Sequence, residues 1–273
     1  AAVAGAALLG WLLTRPAARD PSLVSVLPFQ NRTGDAAYAA LGENVAERVA
    51  RGLNETGVVR LAGDAAGGSS ERAGTVVSGA AYLRGDSLEI TATIADARSS
   101  LVLRTVGPLR APARRPDAAI QELVQRVMGG VAMMFNETYG NQGAVSGQPP
   151  TYEAYREYRT GEEHFYAFQW DSAVAHFRGA IRADTAFMFP RLRIAGALNN
   201  AGAYASADSA LRTIEALRSR LTPFEEAYAS YQRANLGGDL PATYAAAQRM
   251  SRAAPLSAFA AYYYGLVCLY VGR

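Results

Sequence analysis

Two histidines, His164 and His176, fall on successive helices of what reads as one helical hairpin, with Glu162 and Glu163 close by in sequence. A metal held between two helices needs such a set of imidazole and carboxylate ligands. Two histidines and a borrowed carboxylate are a thin set, and we expect ordinary surface or groove histidines and no metal. Cys268 is the single cysteine, so neither an internal disulfide nor a Cys-rich metal site can form. It sits in an apolar helical run, which predicts a buried thiol. All 27 basic residues are Arg, so no glycine-rich phosphate loop can carry its Lys. Gly67-Gly68 and Gly129-Gly130 lack the spacing of a dinucleotide fingerprint. There is no G-x-S-x-G elbow for a nucleophilic serine, and no kinase catalytic-loop or magnesium motif. Arg84-Gly85-Asp86 spells an adhesion-like tripeptide but sits where a hairpin must turn. The expectation is a non-enzymatic chain with no catalytic residue and no cofactor.

The elements that would position any site divide the chain in two. Its 273 residues are half apolar and 19% charged, enough for two globular domains. The net charge of +3 is evenly spread, with 14 Arg against 13 acids up to Gly147 and 13 against 11 beyond it. No basic face for nucleic acid results. Arg110, Arg114 and Arg115 sit among prolines and read as a solvated loop. The all-Arg, Ala-rich usage reads as the codon bias of a GC-rich genome.

Residues 1–13, "AAVAGAALLGWLL", carry no charge. They begin without Met inside an apolar run, which reads as the end of a longer transmembrane helix in preference to a signal-peptide core. Leu8, Leu9, Trp11, Leu12 and Leu13 would form the anchor, with Trp11 and Arg15 at the interface and the lipid bilayer as a partner. Residues 14–22 form a linker. From 23 to 135 the order is strand, helix, strand, hairpin, strand, helix, a small mixed-sheet α/β domain. Strands are predicted over 23–29, 58–61, 75–84, 87–97 and 101–106, and helices over 38–54 and 117–135. Leu41, Val45, Val49 and Leu53 make one helical stripe; Leu88, Ile90, Ala92 and Ile94 alternate with polar residues along a strand.

Residues 136–150 form a Gly/Pro/Asn-rich linker, and 151–273 are wholly helical. Trp170, Ala173, Phe177 and Ala180 return 34 residues later as Tyr204, Ala207, Leu211 and Ile214, the period of tetratricopeptide helical hairpins. About three and a half repeats fit, the third offset by about two residues and the fourth ending after one helix. Thr222-Pro-Phe-Glu225 reads as a capping box with Pro at the first helical position. Twelve of the fifteen tyrosines lie beyond residue 150. In such a solenoid the first helix of each repeat lines the concave groove. That phase places Tyr155, Tyr158, Glu162 and Phe165 there, then Leu192, Asn199 and Asn200, then Tyr228, Gln232 and Asn235. Tyrosine supplies rigid contact area and Asn satisfies a peptide backbone; packing between helices is the competing fate for the tyrosines. Basic residues for clamping a terminal carboxylate are not evident.

The stretches "VSVLPFQNRTGD", "YAALGENVAERVARGL", "GVVRLA" and "VVSGAAYLRGDSLEITATIADA" resemble the TolB amino-terminal-like (FlgO/CsgG-like) family over about residues 23–135. In that family a further helix precedes the hairpin, and only "AGDAAGGSSERA" stands there. A membrane span followed by this domain and tetratricopeptide repeats is similar to the extracytoplasmic part of certain bacterial membrane proteins. The resemblance implies an inner-membrane, single-pass protein with periplasmic domains. Its partners would be other proteins, for instance an integral respiratory or photosynthetic complex. The alternative is the sensory half of a membrane signalling protein.

Overall fold

A computed structural model describes residues 19–63, 72–135 and 147–272. The expected anchor, with Leu8, Leu9, Trp11, Leu12 and Leu13, lies outside the described residues, as do most of the loop 62–73 and residues 136–146. Among the described residues no helix is long and apolar enough to cross a membrane.

Among the described residues the first unit is a six-stranded mixed sheet with two α-helices packed on it. The strands are β1 (Asp20–Val26), β2 (Gln30–Asn31), β3 (Arg60–Leu61), β4 (Ala73–Arg84), β5 (Ser87–Asp96) and β6 (Val102–Pro112), in the order β3-β1-β4-β5-β6 with β2 also on β4. β1 runs parallel to β3 and β4, whereas β4, β5 and β6 form an antiparallel meander. Along β5, Leu88, Ile90, Ala92 and Ile94 are fully buried and their neighbours half-exposed. Helices α1 (Leu41–Thr56) and α2 (Asp117–Phe135) cover that face, placing Val45, Val49, Leu53, Ile120, Leu123 and Val127 in one core with it. The other face, with Ser78 bonded to Thr93 across 3.0 Å, stays polar. One packed and one solvated face is what alternation encodes.

The last strand is longer than expected. Residues 107 and 108 pass through an irregularity where the register shifts between Ile90 and Ala92, and Leu109 and Ala111 then return to the buried face. An edge strand tolerates Pro108 because one side of it has no ladder to break. Arg110 is therefore a strand residue, paired to Glu89 at 2.9 Å and not part of a solvated loop.

The opening motif is a structural joint. Phe29 is buried, its N–H donates to the Gly42 carbonyl at 3.1 Å, and its ring lies where a β-carbon on Gly79 would stand. Asn31 Oδ1 accepts from the Thr33 N–H and hydroxyl at 3.0 and 2.7 Å, and Asp35 Oδ1 from the Ala37 N–H at 2.8 Å. These Asx-type bonds turn the chain toward α1 and satisfy themselves.

The second unit is seven helices in sequential hairpins: α3 (Tyr152–Tyr166), α4 (Trp170–Ala183), α5 (Phe189–Asn200), α6 (Tyr204–Glu215), α7 (Pro223–Leu236), α8 (Leu240–Ala253) and α9 (Ala258–Tyr270). Small residues set their approach. A β-carbon on Gly161 of α3 would meet the Phe177 ring of α4 at 2.6 Å, so the glycine is the seat for that ring. The capping box at Thr222 forms as expected, with both reciprocal bonds made and Pro223 opening α7.

Residues 147–150 are not a free linker. Pro149 and Pro150 are buried. The Arg126 guanidinium of α2 donates to the Pro149 carbonyl at 2.7 Å and to Asp184 at 2.9 Å. Asp184 also accepts from the Thr151 N–H at 3.1 Å. This buried pair fixes the helical unit to the α/β unit, which a Gly/Pro-rich composition does not disclose.

Candidate functional site

The helical unit contains a cleft of about 410 Å³ formed by the C-terminal halves of α3, α5 and α7, the first turns of α4 and α8 and one side of α9. Phe165, Tyr166, Phe168, Trp170, Tyr231, Tyr262, Tyr263 and Tyr270 supply aromatic surface; Asn199, Asn200, Gln232 and Asn235 supply amides. Among the described residues no charged side chain lines it. Phe168 is 77% exposed, Tyr262 61% and Tyr270 70%, so much of this aromatic area faces solvent. Rings exposed in a shared concavity are the kind of surface that marks binding.

Of the ten groove residues expected from the repeat phase, the structure brings five into this cleft: Phe165, Asn199, Asn200, Gln232 and Asn235. Tyr155, Tyr158, Glu162, Leu192 and Tyr228 do not line it; all five are buried between helices. Tyr158 packs edge-on to Phe187 and Phe189 with centroids 5.3 and 5.9 Å away, and Tyr228 edge-on to Phe259 at 5.0 Å. Burial pushes the hydroxyls of Tyr158 and Tyr228 well above the usual tyrosine range, so neither ionises at any ordinary pH.

Beneath the cleft lies an ion pair that sequence reasoning missed. Arg193 of α5 and Glu162 of α3 are both fully buried and meet at 2.5 Å through Nε and Oε1. Arg193 Nη1 also donates to the hydroxyls of Tyr228 and Tyr263 at 3.1 and 3.2 Å, and Gln232 donates to Tyr228 at 2.8 Å. Nη2 is buried with no hydrogen-bond partner among the described residues. The guanidinium carbon, 3.7 Å from the Phe165 ring centroid, gives it a π-face instead. Burial works against the charge, but Glu162 and then the tyrosines outweigh it, and the Arg193 pKa rises well above its ordinary value. A signal was present in the sequence: Arg193, Tyr228 and Tyr263 recur at intervals of 35 residues on α5, α7 and α9.

The histidines do meet, stacked with centroids 5.1 Å apart and planes within 11°. His164 bonds Gln169 at 2.5 Å and His176 bonds Glu157 at 3.0 Å. Glu162 is committed to Arg193, and Glu163 pairs with Arg159 at 3.5 Å. Among the described residues no group of three or more His, Cys, Asp or Glu side chains is placed to hold a metal.

No protein-family model matches the chain, and no curated protein does. Among solved structures, a leucine-to-methionine variant of the PelC dodecamer from Paraburkholderia phytofirmans is 20% identical. It covers 44% of this chain and 94% of its own, with a TM-score of 0.30. A second PelC dodecamer structure from the same organism is 22% identical, covers 43% and 91%, and has a TM-score of 0.29. A likeness at this level says nothing of what this chain binds or how it assembles. What stands is a mixed α/β sheet unit followed by a helical unit.

Proposed function

We propose that the chain is a non-enzymatic, membrane-anchored scaffold whose aromatic cleft binds an extended, uncharged segment of a partner protein. The carrying observation is the lining: eight aromatic rings and four carboxamides, with no charged side chain among the described residues. Carboxamides pair with peptide N–H and C=O groups, aromatic rings give rigid contact area, and a neutral wall spares a neutral ligand the cost of stripping charges of water. The helix pairs recurring at 34 to 35 residues, with Phe177 seated on Gly161, support a tetratricopeptide solenoid, in which such a cleft is the concave face. The Asn31–Asp35 turn, with Phe29 held beneath it, supports a TolB amino-terminal-like domain. The uncharged run 1–13 supports an inner-membrane anchor with both units in the periplasm, docked as an accessory subunit on an integral membrane complex.

The test is native pull-down from solubilised membranes with the wild type and with Phe168→Ala/Tyr262→Ala. Both side chains are mostly exposed, so their loss leaves the fold intact. The scaffold reading expects a defined partner to be retained by the wild type and lost, about tenfold or more, by the double variant. Equal retention by both removes the cleft from the mechanism. A wild type that migrates alone at monomer size removes the docking role.

A further inference from the structure

A second concavity, of about 340 Å³, opens between α4 and α6 over α5. Its polar wall is Arg178 and Arg182 of α4 with Arg191 of α5, and among the described residues no acidic side chain lines it. Its floor is Ile181, Ile194 and Ile214. Among the described residues none of the three arginines has an ion-pair partner, whereas Arg159, Arg193, Arg212, Arg218 and Arg233 of the same unit pair with acids. Arg178 and Arg182 stand four residues apart on one helix, a like-charge spacing that costs helix stability. Arg191 Nε is buried with no hydrogen-bond partner. Burial, and then the charge of Arg220 nearby, lower the Arg191 pKa from its usual value. Three arginines gathered over an apolar floor, one of them with a buried and unpartnered Nε, and no acid among the described lining residues, make a site that lacks its counter-charge.

We infer that this groove binds an amphipathic anion, a phosphate or carboxylate held by Arg178, Arg182 and Arg191 with an aliphatic chain lying on the isoleucines. Guanidinium groups match both anions in fork geometry, and the floor selects against a free inorganic ion. The same chemistry can come from an anionic phospholipid in a bilayer or from a soluble amphiphile. This inference is independent of the aromatic cleft.

Isothermal titration of the purified chain with dodecyl phosphate, below its micelle concentration, is the direct test. Saturable binding to one site is expected, weakened about tenfold or more by Arg178→Gln or Arg182→Gln. Inorganic phosphate should bind far more weakly, and dodecyl maltoside, with the same tail and no charge, should not compete. Arg249→Gln, at a cation outside this groove, is the control. Circular dichroism confirms that each variant folds. Co-flotation with phosphatidylcholine vesicles containing phosphatidylglycerol, lost in Arg178→Gln/Arg182→Gln, assigns the ligand to the bilayer; dodecyl phosphate binding without such flotation assigns a soluble amphiphile. Dodecyl phosphate binding that is equal in wild type and both variants, equally weakened by Arg249→Gln, or matched by the maltoside overturns the site. Comparing wild type with variants cancels whatever the apolar run 1–13 contributes.

Discussion

The aromatic cleft and the arginine groove are built on the same hairpins and share α4 and α5, yet they handle arginine in opposite ways. Under the cleft, Arg193 is sealed against Glu162, two tyrosine hydroxyls and a phenyl ring, and the surface above shows no charge. In the groove, Arg178, Arg182 and Arg191 stand with no acid among the described lining residues. A buried charge must be paired where it is desolvated for good, because an unpaired ion in a low dielectric is very costly. A half-exposed charge can wait, since water solvates it until a ligand arrives. The difference separates an arginine that holds helices together from arginines that are available to something else.

The most damaging way to test that distinction is to strand the sealed charge. Glu162→Ala leaves Arg193 buried without its counter-ion and should cost about 3–5 kcal/mol. A lowered urea midpoint at unchanged slope would register it. Replacing the pair together, Glu162→Leu with Arg193→Met, should recover most of the loss, because buried pairs are often exchangeable for apolar residues of similar volume. If Glu162→Ala is as stable as wild type, Arg193 is solvated and the cleft has no sealed floor.

How far this was legible depends on the range of the interaction. Asp117–Phe135 forms the helix its periodicity predicts, and the 87–97 strand alternates as read, because both patterns are local. The repeat period marks out the first helices of the hairpins. It could not say which of their residues point between helices and which into the cleft, because one phase serves both. Tyr155, Tyr158 and Tyr228 went inward where a neighbouring ring was waiting. Arg193 and Glu162 lie 31 residues apart, and nothing in either helix alone announces the pair. Arg126 and Asp184, 58 apart across a segment that reads as a linker, were hidden for the same reason. The arginine groove was invisible because its members come from two helices and look, in sequence, like ordinary solvated charge.

The wall that keeps the two regions apart offers an intermediate effect. Phe177, next in the chain to Arg178, is fully buried against Gly161 of α3, and a β-carbon at 161 would stand 2.6 Å from the ring. Gly161→Ala should therefore push α4 off α3 and cost about 1–3 kcal/mol, despite the better helix propensity of alanine. Gly265 on α9 has nothing within 4 Å of the same position. Gly265→Ala should gain up to about 1 kcal/mol from propensity alone. Thermal unfolding of the two variants should move in opposite directions. A shift of the same sign would show that the seat at Gly161 is not tight, and that α4 can move without disturbing its partner.

The smallest effect bears most directly on the groove. If Arg178 and Arg182 contributed to holding the fold, removing either charge would cost stability, as is expected for Glu162. They have no acidic partner, and at four residues apart on α4 they repel. Arg178→Gln should then leave stability unchanged or raise it by about 0.2–0.5 kcal/mol at low ionic strength. The gain should fade as salt is raised, because exposed charges are screened beyond about 10 Å at 0.1 M. A paired arginine gives the opposite sign: Arg233, which bridges Asp208 and Glu215, should lose a little stability on the same substitution, and salt should shrink that loss too. Urea titrations of the two variants at low and high salt supply both slopes. A loss for Arg178→Gln comparable to that for Arg233→Gln would mean that the groove arginines are structural, and that the two regions differ only in how deeply their charges are buried.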